Sequence, residues 1–279
     1  MSGRLERAAW LDRFVVAPFV FDGLQAKLAE AAGASAVYMT GFGTAAQYGL
    51  PDLGIIGRDE MLANVARIVG SVEVPVIADA DTGYAAGQDS SARTEVGRTV
   101  ELYARAGVAA LHLEDQVWPK RCGFFKGKEV VGRDEMVAKI RAATSASGGD
   151  GPLIIGRTDA LQPCGWDEVV ARCDLMADAG ADLLFVDGLK TEELATECTE
   201  RVGHHPLLLN SFVSADVAQR LGYRLMLGLS VMGEIHGAIE RIMRTFVSEG
   251  AVGDDPVMSF EGLTHTMMPE SEGKLLPDA

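Results

Sequence analysis

The chain has 279 residues, 48% of them hydrophobic and 23% charged, proportions that exclude a disordered chain. Lys and Arg number 25 against 40 Asp and Glu, and the net charge of −15 argues against nucleic acid or anionic membranes as partners. It leaves open a small anionic substrate, whose binding depends on the local field.

Taken in chain order, residues 1–12 carry Arg4, Glu6, Arg7 and Asp12, so neither a signal peptide nor a membrane helix is expected there, and a cytoplasmic location is. Short apolar runs then alternate with longer helical patterns. The runs are Phe14–Val16, Ala36–Met39, Val74–Ala78, Ala110–Leu113, Leu153–Ile155, Leu183–Val186, Leu207–Leu209 and Arg224–Leu227. Most lack polar alternation, as expected of strands covered on both faces. Helices are predicted over Gly23–Ala32, Arg58–Val69, Ser91–Ala106, Arg133–Ala143, Trp166–Ala179 and Val231–Glu249. Ala32–Gly33, Ala106–Gly107 and Ala179–Gly180 each precede a run, with Leu221–Gly222 as a variant. Glycine after a last helical turn supplies the left-handed cap that lets the chain reverse into a strand.

Eight such units predict a closed (β/α)8 TIM barrel over residues 1–249, with a short C-terminal extension over 250–279 holding at most one short helix. A doubly wound open sheet is the alternative, but the chain has no glycine fingerprint after its first strand. Gln116–Gly132 interrupts the rhythm as a long basic loop with Lys120, Arg121, Lys126 and Lys128.

A barrel of this kind reacts at the C-terminal rim of its strands. The strand ends supply Thr40–Gly41, Asp79 and Asp81, Glu114–Asp115, Arg157 and Asp159, Asp187, and Asn210–Ser211. Carboxylates crowded into a concave site repel one another, and a divalent cation removes the conflict. Oxygen ligands point to Mg2+ rather than zinc, with Mn2+ as an alternative ion. A single Asp after a strand is more often a helix N-cap, and Asp115 and Asp159 read that way. The four cysteines form no C-x-x-C pair and read as reduced thiols. Cys164, Cys173 and Cys198 read as small buried residues. Cys122 differs, because the preceding Lys120 and Arg121 favour a reactive thiol beside the rim. His112 reads as structural, and His204 and His205 as surface residues.

Tyr38-Met-Thr-Gly, Gly49-Leu-Pro-Asp-Leu-Gly54, Ala78-Asp-Ala-Asp-Thr-Gly83, His112-Leu-Glu-Asp-Gln116, Lys120-Arg-Cys-Gly123 and Gly156-Arg-Thr-Asp-Ala160 occur in this order. With them the chain resembles the isocitrate lyase and phosphoenolpyruvate mutase superfamily, over roughly Leu5 to Glu249. The nearest likeness is to its 2-methylisocitrate lyase and carboxyphosphonoenolpyruvate mutase branch. The resemblance implies a homo-oligomer, tetramer or dimer, in which a C-terminal helix swaps onto a neighbour. It implies Mg2+ held by Asp81, with Asp52, Asp79 and Glu114 acting largely through water. Tyr38, Thr40, Gly41 and Arg157 would contact the oxo-acid end of the substrate. The Lys120–Gly123 loop would close and bring Cys122 to the reacting carbon as proton donor, with Tyr38 a candidate base.

The implied activity is a Mg2+-dependent carbon–carbon lyase acting on a 2-hydroxy or 2-oxo acid through an enolate-like anion. A carboxyphosphonoenolpyruvate mutase-like, C–P or acyl-bond-cleaving enzyme, and a lapsed 2-oxo-acid-binding barrel, are the alternatives. Several positions depart from the family pattern. Phe124 follows Cys122-Gly123 where His is common, Asp187 ends the sixth strand in place of Glu, and Ser211-Phe212-Val213 replaces a polar run. Phe19 and Phe42 stand where small residues are usual. Lost donors leave extra carboxylates unpaired, so a less charged or more apolar acid is expected, against a wall of Phe124, Phe212 and Val213.

Overall fold

The computed structural model describes residues 12–85, 90–121, 127–252 and 259–267. Its strands are β1 Val15–Val20, β2 Val37–Met39, β3 Val76–Asp79, β4 Ala110–Glu114, β5 Leu153–Thr158, β6 Leu183–Val186, β7 Leu207–Asn210 and β8 Leu225–Gly228. They pair in parallel and in sequence order into a closed barrel. Closure is made by β1 against β8, from Val15 opposite Leu225 to Pro18 opposite Gly228. This is the expected (β/α)8 barrel, and the open sheet is excluded.

Strict alternation along the strands sorts their side chains into two cores. Val15, Ala17, Phe19, Tyr38, Ile77, Ala110, Leu153, Ile155, Leu183, Phe185, Leu208, Leu225 and Leu227 fill the barrel interior. Their neighbours, among them Val37, Met39, Ala78, Leu111, Leu113, Ile154, Leu184 and Leu209, face the helices. A strand buried on both sides reads as a continuous apolar run, which is why the runs showed no alternation. Full burial of each Leu, Ile or Phe contributes about 1.5–3 kcal/mol.

The expected helices form as Gly23–Ala31, Arg58–Val69, Ser90–Ala106, Arg133–Ser147, Trp166–Asp178 and Ser230–Glu249. Gly33, Gly107, Gly180 and Gly222 all take left-handed φ angles between 88° and 98°, as their role in reversing the chain requires. Helix Glu192–Val202 was not anticipated. Its buried stripe is Ala195, Cys198 and Val202, small residues that give a weak apolar signal among glutamates. The Thr191 hydroxyl caps its start by accepting from Leu194 N. Beyond the barrel, the short helix Phe260–Met267 lies against Gly23–Ala31. On Ser230–Glu249 the side chains of Ile239, Ile242, Met243, Phe246 and Val247 are exposed. Among the described residues no helix is long and apolar enough to cross a membrane.

Candidate active site

The alternation that fills the barrel interior also aims polar residues into its C-terminal mouth. Asp79 follows Ile77 on β3, His112 and Glu114 follow Ala110 on β4, and Arg157 follows Ile155 on β5. Parallel register sets Asp79 beside His112, and Glu114 beside Arg157. The chain beyond β3 then bends sharply. Asp81 has φ 48° and Tyr84 φ 58°, left-handed conformations that non-glycine residues seldom adopt. Asp81 N donates to Asp79 Oδ1 at 2.9 Å, and the Tyr84 hydroxyl donates to Asp81 Oδ2 at 3.0 Å. Strain held by such bonds fixes two carboxylates side by side in the mouth.

Buried ion pairs surround them. Lys120 Nζ stands 2.5 Å from Asp52 Oδ1 and 2.7 Å from Asp81 Oδ1. Arg157 reaches Glu114 Oε2 at 3.3 Å, Asp159 Oδ2 at 2.9 Å and Asp187 Oδ1 at 3.5 Å. Lys128 Nζ bridges Asp159 Oδ1 at 2.9 Å and Asp187 Oδ2 at 2.8 Å. Burial pushes the Asp81 carboxyl up to about 6, against the pull of Lys120, and raises Glu114 well above the carboxylate range.

Deeper in the mouth, the Tyr38 hydroxyl lies 2.8 Å from His112 Nε2. Burial lowers His112 to about 4 and raises Tyr38 well above the phenol range. The pair is therefore a protonated phenol hydrogen-bonded to a neutral imidazole. Held protonated by burial, Tyr38 is not the ready base that the sequence suggested. Phe19 tilts against Tyr38 at 4.8 Å between ring centroids. Above these groups lies a cavity of about 280 Å³. Tyr38, Asp52, Asp79, Lys120, Arg157, Asp187 and Asn210 form its polar side; Phe19, Phe42, Phe212, Leu229 and Met232 form its apolar side. Asn210 Oδ1 is buried there with no hydrogen-bond partner.

Most of the residues singled out from the sequence converge here. Thr40 lines the cavity. The Gly41 amide does not face a substrate, because it donates to Asp79 Oδ2 at 3.1 Å. Cys122, Gly123 and Phe124 lie outside the described residues. Val213 is not part of the apolar wall but packs against the outer core. Asp115 and Asp159 are not helix caps. Asp115 accepts from Thr158 Oγ1, Asp159 N and Arg172, tying β4 to β5, and Asp159 pairs with Arg157 and Lys128. Cys173 and Cys198 are buried as expected, but Cys164 is exposed.

Sequence reasoning left His112 as structural and Lys128 as an ordinary loop cation, whereas both lie in the site. His112 had a signal, since it shares the inward face of β4 with Glu114 two residues on.

The chemistry of the cluster fits a hard divalent cation. Asp81 Oδ1 and Glu114 Oε1 are buried without hydrogen-bond partners. Both carboxyls are driven toward protonation, a conflict that a cation relieves. Among the described residues, the set of three donors that lie within 4.8 Å of one another is Asp174, His204 and His205 on the surface. The wider spacing of the rim carboxylates suits an ion that keeps several waters, as Mg2+ does.

The chain matches the family described as phosphoenolpyruvate phosphomutase over residues 9–247. It is 40% identical over 225 residues to the 2,3-dimethylmalate lyase of Eubacterium barkeri, covering 76% of this chain and 74% of that protein. The structure of oxaloacetate acetylhydrolase with the inhibitor 3,3-difluorooxalacetate superposes with a TM-score of 0.88 at 35% identity, covering 95% of this chain and 93% of the other. That of phosphonopyruvate hydrolase with oxalate and Mg2+ superposes with a TM-score of 0.83 at 26% identity, covering 99% and 97%. Fold, rim residues and relatives agree: the chain belongs to the phosphoenolpyruvate phosphomutase family, within the PEP mutase/isocitrate lyase superfamily.

Proposed function

We propose that this protein is a Mg2+-dependent carbon–carbon lyase that cleaves a small 2-hydroxy acid with an apolar substituent and releases a 2-oxo acid. The observation that carries this reading is a single cavity with a carboxylate–arginine floor and a phenylalanine-lined wall. Relatives named as lyases, 2,3-dimethylmalate lyase among them, support it.

Asp81, Asp79, Glu114 and Asp52 are the residues that would hold the ion. A bound divalent cation supplies stabilisation of negative charge on substrate oxygens. Arg157 adds a fixed positive charge facing the same space. In the reaction the substrate hydroxyl gives its proton to a carboxylate of the rim, and the adjacent carbon–carbon bond breaks. The oxygen-bearing carbon becomes the carbonyl of the 2-oxo acid. The departing carbon keeps the electron pair and takes a proton from Cys122, which follows Lys120 by two residues. Tyr38 donates a hydrogen bond from below, its phenol oxygen in turn accepting from His112 Nε2, which orients it.

Charge accounting favours few substrate carboxylates. Arg157, Lys128 and Lys120 are each matched by at least two carboxylates of the protein. Phe19, Phe42, Phe212, Leu229 and Met232 offer no donors, so a third carboxylate would be desolvated without a partner. The exposed apolar face of Ser230–Glu249 supports a homo-oligomer in which a second copy covers Ile239, Ile242, Met243, Phe246 and Val247. Light scattering on the purified protein tests that part.

The decisive experiment is a mass-spectrometric screen of 2-hydroxy and 2-oxo acids with and without Mg2+. Alkyl-substituted malates are expected to be cleaved to a 2-oxo acid, and 2-methylisocitrate to be a poor substrate. Preferential cleavage of 2-methylisocitrate, or oxalate formed from oxaloacetate as the dominant product, would overturn this assignment.

A further inference from the structure

We propose that the Lys120 ammonium is the internal counter-ion of the metal site: it holds the place of the divalent cation between Asp52 and Asp81 while the site is metal-free, and it is displaced when the ion enters. The inference rests on the reading that these carboxylates bind Mg2+.

Lys120 is 4% exposed although it carries a full charge. Its Nζ sits at contact distance from both Asp52 Oδ1 and Asp81 Oδ1. Asp52 and Asp81 flank the ammonium on two sides within the buried cluster. A positive charge thus already lies where the acidic cluster demands one.

The fit of that charge is incomplete. Lys120 hydrogen-bonds Asp52 Oδ1, but its approach to Asp81 Oδ1 is an ion contact without hydrogen-bond geometry, and Glu114 Oε1 has no donor. An ammonium offers three donors in fixed directions, whereas a hard ion accepts oxygens from any direction and brings its own waters. The cluster is better matched to the second than to the first.

Both cations cannot occupy the place together. An ammonium touching Asp81 and a dication bound by Asp81 would repel at short range in a buried site. Lysine has a flexible four-carbon stem, and Lys120 borders the cavity, so the amine has somewhere to go. Metal entry is therefore an exchange, and it turns Lys120 from a partner of the protein's carboxylates into a cation facing the substrate space.

The test is Mg2+ titration of the full-length protein followed by calorimetry and by Trp118 fluorescence. Trp118 packs 6.2 Å from Tyr84, whose hydroxyl bonds Asp81. Lys120→Met is expected to bind Mg2+ at least tenfold more tightly than the wild type. Lys120→Arg, which keeps the charge, should stay within threefold of it. Lys27→Met removes a lysine on the outer helix Gly23–Ala31, away from Asp52 and Asp81, and should change affinity less than threefold. In the wild type, acetylation of Lys120 mapped by mass spectrometry should be slow without Mg2+ and at least fivefold faster with it, a readout that stands even if Lys120→Met does not fold.

Equal Mg2+ affinity in wild type and Lys120→Met, or acetylation of Lys120 unchanged or slowed by Mg2+, overturns the exchange while the metal site survives. Absence of Mg2+ binding in every folded variant overturns the metal site, and the exchange with it.

Discussion

Gly41, the first residue of the helix Gly41–Gln47 after β2, donates its amide to Asp79 Oδ2 at 3.1 Å, and a Cβ on residue 41 would lie 2.6 Å from that same oxygen. The Asp79 carboxylate is thus aimed by a backbone that can approach only because it has no side chain. Gly41→Ala is expected to push the carboxylate out of line and weaken Mg2+ binding by about tenfold or more, as loss of an orienting group around a metal typically does. Calorimetric titration with Mg2+ checks this, with the circular dichroism spectrum unchanged.

Lys128 bridges Asp159 and Asp187 in a fully buried setting. Removing one partner of such a set strands the others' charges, at a cost of about 3–5 kcal/mol. Lys128→Met should therefore lower the free energy of unfolding in urea by about that amount. Adding Asp187→Asn removes one stranded charge, and the double variant should recover part of the loss. Burial already raises the Asp187 pKa, so the neutral amide suits that position. A double variant no more stable than Lys128→Met alone would show that the bridge is not what holds these groups.

The strands and the carboxylates of β3 and β4 were legible because both follow local rules. Apolar runs of strand length mark the barrel, and polar residues at the ends of six of the eight runs mark its rim. Lys128 was not legible, since its destination depends on a non-local pairing, the isolated bridge between Gln116 and Val130 that folds the loop back over β5 and β6. Val213 was misjudged for a related reason: adjacent residues after β7 point to opposite sides, so Phe212 meets the cavity while Val213 meets the helices. Of the apolar wall expected from loop residues, Phe212 lines the cavity and Phe124 lies outside the described residues. Phe19 on β1 and Leu229 and Met232 after β8 extend it, elements distant in sequence that only barrel closure brings together.

Asp159 gives the protein a defined acid dependence. Burial works against its charge, but Arg157 and Lys128 overcome this and lower the carboxyl from its ordinary 3.8 to about 2. The folded state therefore releases this proton more readily than the unfolded chain. The resulting stability, about 2 kcal/mol, is complete above pH about 4 and is lost as pH falls toward 2. Asp159→Asn cannot titrate. Its unfolding free energy, lower at neutral pH, should fall less steeply than that of the wild type between pH 4 and 2. Parallel slopes in urea titrations across that range would remove Asp159 from the account.

Gln116 holds the approach to the loop that carries Cys122. Its side-chain amide donates to the Arg121 carbonyl at 2.8 Å and accepts from Arg121 N at 3.0 Å, a reciprocal pair that imitates a strand contact. The side chain is buried and lies two residues beyond β4, so it ties Arg121 to the barrel wall beside the Lys120 ion pairs. Two such bonds contribute about 1 kcal/mol each to stability, a modest sum for a protein of this size. Their effect on catalysis is expected to be larger, because small misplacement of a reacting group costs far more in rate than in stability. Gln116→Ala should therefore lower the melting temperature by only a few degrees yet reduce kcat by about tenfold or more, with KM moving much less. Steady-state kinetics on the best substrate from the screen, set beside thermal unfolding, separates the two effects. A fall in KM-dependent binding with kcat preserved would show that the clamp serves ligand capture and not the placement of the proton donor.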